Sequence, residues 1–187
     1  MELSLPDVPL LRKESKVNRI SPFAYATLCA LALPSNGHAN SVHSAERECA
    51  SRPRASINPA GTASISREWR FSQAVAVGCF VFVSGQVGIS LQDGRIPADA
   101  DQQAALAFQN LKQVVEAAGA SMSDVVELVT YHTSMSHIEG FKREKARWFT
   151  KNFPAWTAIS TPGLVEPSLK VEIRATAIIG SGANGPR

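Results

Sequence analysis

Hydrophobic and polar positions become regular only after about residue 70. Residues 71–77 alternate loosely between apolar and polar side chains and end at Gly78, a turn residue. Residues 80–84 form a β-branched and aromatic run that leads into Gly85 and Gln86. Two short strand-like segments separated by a glycine predict a β-hairpin.

A long amphipathic helix is predicted after a turn at Asp93-Gly94. Asp99 or Asp101 can cap its start, because a carboxylate accepts hydrogen bonds from free backbone N–H groups. The helix ends at Gly119, and residues 125–133 predict a strand with a Val-Leu-Val centre. Apolar residues recur on one face of the helix at helical spacing, namely Ala104, Ala107, Phe108, Leu111, Val114, Val115 and Ala118.

A second helix is predicted over residues 138–152 and is stopped by Pro154. Its apolar face carries one exception, Lys145, which lies four residues after Phe141. Residues 156–160 and 169–179 predict the last two strands. The resulting order, ββαβαββ, predicts an α+β fold of two layers with the helices on one face of the sheet.

The uncovered face of such a sheet is expected to be apolar, through Val81, Val83 and Val171, which favours an oligomer. Hydrophobic residues make up 44% of the chain and charged residues 19%, as in an ordinary domain with a packed core. The net charge of +3 is too small to indicate nucleic acid binding.

Residues 1–55 contain five prolines and no sustained hydrophobic period. Two interpretations stay open for them: a disordered extension, or a signal segment within residues 1–39 with a basic start and a short apolar run. The first implies a cytoplasmic protein and the second an exported one. Residues 56–180 are predicted to form the domain, and 181–187 a flexible tail. No apolar run approaches the ~18 residues that span a membrane.

Several segments match a known family in order: Phe71-Ser-Gln-Ala74, Val83-Ser-Gly-Gln86, residues 110–119, Asp124-Val-Val126, Pro154-Ala155 and Lys170-Val-Glu-Ile173. By these segments the chain resembles the RidA (YjgF) family over about 120 residues. The resemblance implies a chorismate-mutase-like fold, a homotrimer, and ligand pockets in the clefts between subunits. It also implies hydrolysis of small enamines and imines to a 2-keto acid and ammonia, without a cofactor. The family additionally carries an older endoribonuclease description.

One position departs from the pattern of active family members. Their Pro-Ala pair is followed by an arginine that binds the substrate carboxylate, whereas here Pro154-Ala155 is followed by Trp156. An indole has one N–H donor and cannot pair with a carboxylate. Trp156 could stack on an apolar or cationic ligand, or it could fill the cleft or the subunit interface. The expected substrate is therefore a more apolar or uncharged imine.

The resemblance places the catalytic role on Glu172, which matches the glutamate that orients water. Arg174 follows two residues later, so both side chains are expected on one face of a strand. Pairing with Glu172 is the expected role of Arg174, with replacement of the missing arginine as the alternative.

The remaining predicted substrate-binding residues also come from the resemblance. Gly85 and Gln86 match a segment whose backbone lines the pocket. Phe71 stands where many members have tyrosine, and Lys142 where many have a pocket asparagine; Lys145 also occupies a common tyrosine position. A surface location is the simpler interpretation of both lysines.

No metal site is predicted. His132 and His137 are poorly spaced for a shared ion, and the three cysteines lack metal-ligand spacing. Three hypotheses follow: an imine or enamine deaminase, a trimeric module that binds a small ligand without turnover, and an RNA-cleaving protein. The third depends only on the basic residues of the second helix, which a solvated surface explains as well.

Overall fold

The computed structural model describes residues 51–182, whose strands form one six-stranded mixed sheet in the order β1-β2-β3-β6-β4-β5. Only β4 and β5 are parallel, and all the other neighbours are antiparallel. The strands are β1 (Ala55–Ile57), β2 (Ala74–Val77), β3 (Phe80–Val87), β4 (Val125–His132), β5 (Ala155–Ser160) and β6 (Val171–Ile178).

Within residues 51–182, three α-helices accompany the sheet: α1 (Ala63–Glu68), α2 (Ala100–Ala117) and α3 (Ile138–Trp148). Helix α3 is part of the connection between β4 and β5, because parallel neighbours cannot be joined by a tight hairpin. The predicted α+β order is confirmed, with β1 and α1 added before it. The interpretations of residues 1–50 and 183–187 lie outside the described residues. In residues 51–182, no helix has the length and apolar character needed to span a membrane.

Helix α2 begins and ends as its sequence predicts. The carboxylate of Asp99 accepts a hydrogen bond from the backbone N–H of Gln102 at 2.9 Å, and Gly119 follows the helix with φ of 81°. The conformation of Gly119 is left-handed, which glycine adopts without a Cβ penalty.

Asp99→Ala is expected to lower the free energy of unfolding by about 1 kcal/mol, because it leaves an N-terminal N–H group of α2 without its acceptor. Urea denaturation followed by circular dichroism measures this change. Asp101→Ala is the matched control: Asp101 makes an exposed ion pair with Arg143 at 2.8 Å, and such pairs contribute less. An equal loss in both variants would contradict the capping role.

The core lies between the sheet and helices α2 and α3. Phe108 is fully buried at its centre. Its ring centroid lies 5.3 Å from that of Phe141, 6.0 Å from that of Trp148 and 6.3 Å from that of Phe149. The predicted apolar stripe of α2 and the apolar face of α3 thus meet around one phenylalanine.

The prediction for the uncovered face of the sheet was wrong in its residues. Val81, Val83 and Val171 are buried on the helix-covered face. Side chains alternate along a strand, so the neighbours Phe80 and Phe82 occupy the other face, where they are 47% and 43% exposed. The side of the sheet that no helix in residues 51–182 covers is called the open face below. It is apolar at β3, as expected, but through different side chains.

Candidate functional site

Glu172 lies on the open face of β6, opposite Tyr131 of β4 in the strand register. Its neighbours Val171 and Ile173 are buried against the helices, so alternation turns the carboxylate the other way. The side chain is half-buried, and this burial raises the pKa of Glu172. A carboxyl group with a raised pKa is suited to exchanging a proton near neutral pH.

A bulge in β3 gives the Glu172 carboxylate its place. The pairing between β3 and β6 shifts between Val83 and Gln86, which leaves Ser84 and Gly85 outside the regular ladder. A Cβ on Gly85 would lie 1.7 Å from Oε1 of Glu172. Only glycine at this position leaves room for the carboxylate, so the predicted residues Gly85 and Glu172 are brought together.

Arg174 shares the open face with Glu172, but the expected ion pair between them is absent. Arg174 is exposed, and it makes no ion pair with any carboxylate in residues 51–182. The Glu172 side chain turns instead toward the Cα of Gly85, which leaves the guanidinium group to solvent.

Phe71 and Gln86 lie in different environments. Phe71 is half-buried and lines a depression that also includes Ser84, the neighbour of Gly85 in the bulge. Gln86 is buried, and its amide nitrogen donates to Oε1 of Gln73 and to the carbonyl oxygen of Ser84, both at 3.1 Å. The Gln86 side chain therefore holds the bulge rather than lining a pocket.

Trp156 lies on the opposite face of the sheet from Glu172. In the register it is paired with Leu128, which in turn is paired with Ala175, and both of these are buried on the helix side. The indole ring stacks on Phe141 of α3 with centroids 5.8 Å apart. Its N–H donates to Oγ1 of Thr130 at 3.0 Å. One chain alone therefore does not bring Trp156 and Glu172 into one pocket.

Lys145, the exception on the apolar face of α3, contacts this tryptophan. Its Nζ lies 3.9 Å from the centre of the Trp156 ring, a cation–π arrangement. Burial, followed by the charge of Lys142, lowers the pKa of Lys145. Lys142 itself is exposed and pairs with Glu139 at 2.9 Å. The contact with the Trp156 ring explains why a lysine occupies a position on the apolar face of α3.

Thr130 and His132 lie beside Trp156, although neither was among the predicted site residues. Both are fully buried, and His132 Nε2 lies 3.0 Å from the hydroxyl of Thr130 that accepts from Trp156. The other ring nitrogen of His132 has no hydrogen-bond partner among the described residues. Alternation along β4 was the available signal, because it places residues 128, 130 and 132 on one face.

His132 is expected to make stability depend on pH. Burial, followed by the charge of His137, lowers the pKa of His132, so the unfolded chain binds a proton more readily than the folded one. Stability is then lost as the pH falls below about 6.5, the ordinary histidine pKa. Urea midpoints between pH 7.5 and 5 should fall less in His132→Gln than in the wild type.

His137→Gln is the control for this prediction. It removes the second cause of the lowered pKa and keeps the buried imidazole, so most of the pH dependence should remain. Equal slopes in the wild type and His132→Gln would contradict the assignment.

Residues 51–182 contain no group of three or more histidine, cysteine, aspartate or glutamate side chains placed to hold a metal ion. On the open face, the Glu172 carboxyl is accompanied by the Tyr131 side chain in register with it, the Arg174 guanidinium and the backbone of the β3 bulge.

Comparisons with known proteins agree with this fold. The model of the Endoribonuclease L-PSP family matches residues 61–179. The RutC family protein YjgH of Escherichia coli K12 is 35% identical over 122 residues, which cover 64% of this chain and 92% of that protein. A 2-iminobutanoate/2-iminopropanoate deaminase of Dermatophagoides farinae is 33% identical over 110 residues, 58% of this chain and 85% of that one.

Among solved structures, that of protein YjgH has a TM-score of 0.61 at 34% identity, and the match covers 68% of this chain and 98% of that one. The chain belongs to the Endoribonuclease L-PSP family, the family of RidA and YjgF. Some relatives in it are named imine deaminases.

Proposed function

We propose that this protein is a RidA-like hydrolytic deaminase of small imines and enamines, with a modified pocket in which tryptophan replaces the usual arginine. The observation that carries the proposal is the half-buried Glu172, whose pKa burial raises and whose place a β-bulge at Gly85 creates. The names of relatives such as the 2-iminobutanoate/2-iminopropanoate deaminase support the reaction class.

The chemistry assigned to Glu172 is proton transfer around one water molecule. The carboxylate accepts a proton as the water oxygen attacks the C=N carbon, and the carboxyl group then returns a proton to nitrogen. In the resulting carbinolamine, the Glu172 carboxylate accepts the hydroxyl proton and delivers it to nitrogen. The C–N bond then breaks as the C=O bond forms, and ammonia and a carbonyl compound leave. An enamine enters the same sequence after it tautomerises to the imine.

The pocket in this proposal is composite. Glu172 lies on the open face of the sheet and Trp156 on the helix-covered face, so both meet one ligand only if a second copy contributes. The exposed Phe80 and Phe82 give the open face the apolar character that such an assembly would bury. We therefore include a homotrimer, as the family resemblance implies, in the proposal.

Two features separate this proposal from its alternatives. Trp156 favours a module that binds ligand without turnover, because it replaces the arginine that binds the substrate carboxylate in active members. Its ring is stacked on Phe141 and its N–H is already bonded to Thr130. RNA cleavage has weaker support. The basic side chains of α3 are engaged by Glu139, Asp101, Glu144 or the Trp156 ring.

The test is release of ammonia and 2-oxo acid from freshly generated 2-iminopropanoate and from a bulkier aromatic imine. Wild-type turnover of at least one of them is expected, together with loss of turnover in Glu172→Gln. No wild-type turnover, combined with activity gained in Trp156→Arg, would replace the deaminase by the binding module.

A further inference from the structure

Three arginines line one depression beside β3. The depression has a volume of about 550 Å³, and Arg54, Arg67 and Arg70 lie in its wall. Phe71 and Ser84 lie in the same wall, and no aspartate or glutamate of the described residues does. Ser56, which also lines it, is paired with Val75, and Val75 with the exposed Phe82. The depression therefore adjoins the open face.

None of these arginines has a carboxylate partner in residues 51–182. The polar contact of Arg54 is a 3.5 Å approach to the hydroxyl of Ser56. By contrast, Arg143 and Arg147 on α3 each lie 2.8 Å from a carboxylate. Like charges gathered around a concave surface create a positive potential there, which an anion relieves.

Arg70 has a backbone conformation that is uncommon for a residue other than glycine. Arg70 follows α1 with φ of 55°, a left-handed conformation. The N–H of Phe71 closes this turn by donating to the carbonyl oxygen of Ser66 at 3.1 Å. Glycine is the usual residue at such a helix end. A strained arginine kept where glycine fits is a feature of functional sites.

Ser66 adds an independent observation. Its side chain is buried, with 5% of the residue exposed, and its hydroxyl group has no hydrogen-bond partner in residues 51–182. Ser66 also lines the depression. Buried hydroxyl groups are normally satisfied, so this wall of the depression contains an unmet hydrogen bond.

We propose that this depression is a binding site for a small organic dianion, a phosphate monoester or a dicarboxylate. The guanidinium groups of Arg54, Arg67 and Arg70 hold the anionic oxygens, because the arginine fork matches both phosphate and carboxylate. The Phe71 ring packs on the carbon skeleton. The volume is that of a small-molecule site. Phe71 is also one of the predicted substrate-binding residues, so this site adjoins the candidate active site; the binding experiments below test it without turnover.

Calorimetric titration of the full chain with inorganic phosphate, pyrophosphate, malonate and acetate tests the site. Saturable binding is expected for the multivalent anions and not for acetate at equal ionic strength; whichever of phosphate and malonate binds more tightly identifies the anionic group. The variant Arg54→Ala/Arg67→Ala/Arg70→Gly should weaken binding at least about tenfold, because it removes every guanidinium group of the site.

The matched control is Lys112→Ala/Arg143→Ala/Arg147→Ala, which removes the same number of positive charges from other surfaces. It should bind the anions within about twofold of the wild type, since only general screening changes. Equal losses in both triple variants, no saturable binding by the wild type, or binding of a short RNA without any small anion would each overturn the proposal.

Arg70→Gly alone separates binding from folding. It should leave the melting temperature unchanged or higher, because glycine relieves the left-handed backbone, and yet it should weaken anion binding. Asn152→Gly is the control, because Asn152 is also a non-glycine residue with positive φ (51°), and it should keep the anion affinity. A melting temperature that falls in Arg70→Gly together with the affinity would indicate a structural role and contradict the proposal.

Discussion

Glu172→Gln should lower the turnover of an imine substrate by about 100-fold to 10,000-fold, the range that a positioned acid–base group supplies. Glutamine keeps the shape of the side chain and cannot exchange a proton at neutral pH. The measurement is kcat with the imine that the wild type prefers. Glu127→Gln is a suitable control and should leave kcat unchanged. Glu127 is a carboxylate on β4, where it accepts a hydrogen bond from the hydroxyl of Thr176 on β6 at 3.0 Å.

The same substitution should raise stability at neutral pH. Burial raises the pKa of Glu172, so the folded chain binds the proton more tightly than the unfolded one. The carboxyl group then costs stability as the pH rises through the interval between its ordinary and its raised pKa. Glu172→Gln removes this cost. A loss of activity accompanied by a loss of stability would mean that the carboxylate is structural.

Gly85→Ala tests the position of the carboxylate without removing it. The added Cβ would overlap Oε1 of Glu172, so the side chain must move, and activity should fall although the carboxyl group remains. At Gly163 an added Cβ meets nothing within 4 Å, and Gly163→Ala should leave activity unchanged. Normal turnover in Gly85→Ala would show that the geometry at the bulge is not required.

Phe108→Ala should lower the free energy of unfolding by about 3 to 5 kcal/mol, the cost of deleting a buried aromatic ring and leaving a cavity. The reason is that Phe108, on α2, packs against three aromatic rings in and just after α3. Urea denaturation with tryptophan fluorescence measures the loss, because Trp148 is one of these rings.

Phe153→Ala is the matched control for the core prediction. Phe153 is 74% exposed, so its truncation should change the free energy of unfolding by less than about 0.5 kcal/mol. Similar losses in Phe108→Ala and Phe153→Ala would contradict the burial that separates them.

The elements with long periodic segments could be predicted from the sequence. Helix α2 was predicted by its apolar stripe, by Asp99 and by Gly119, because each reports a local requirement of the backbone. The three residues of β1 and the six of α1 are too few for a period to be visible. Val81 and Val83 were wrongly placed on the open face because the two faces of β3 were exchanged. A shift of one residue along a strand is enough to exchange them.

The candidate site was predictable only one residue at a time. Alternation on β6 and the family resemblance pointed to Glu172, and its closeness to Gly85 required the bulge, which no local pattern announces. The contact of Lys145 with Trp156 joins residues on different elements, so spacing along α3 alone shows a lysine out of place. The side of the sheet on which Trp156 lies follows from its register with Leu128, which depends on the whole fold.

Because Trp156 and Glu172 lie on opposite faces, two different inactive variants should be able to complement each other in one assembly. If the proposed assembly forms, a chain damaged at Glu172 still offers an intact tryptophan side, and a chain damaged around Trp156 still offers an intact carboxylate. Mixing two inactive variants should then restore part of the activity, because some clefts receive one sound half from each. Dilution should dissociate the assembly and abolish activity before the chain unfolds, so activity should depend on protein concentration.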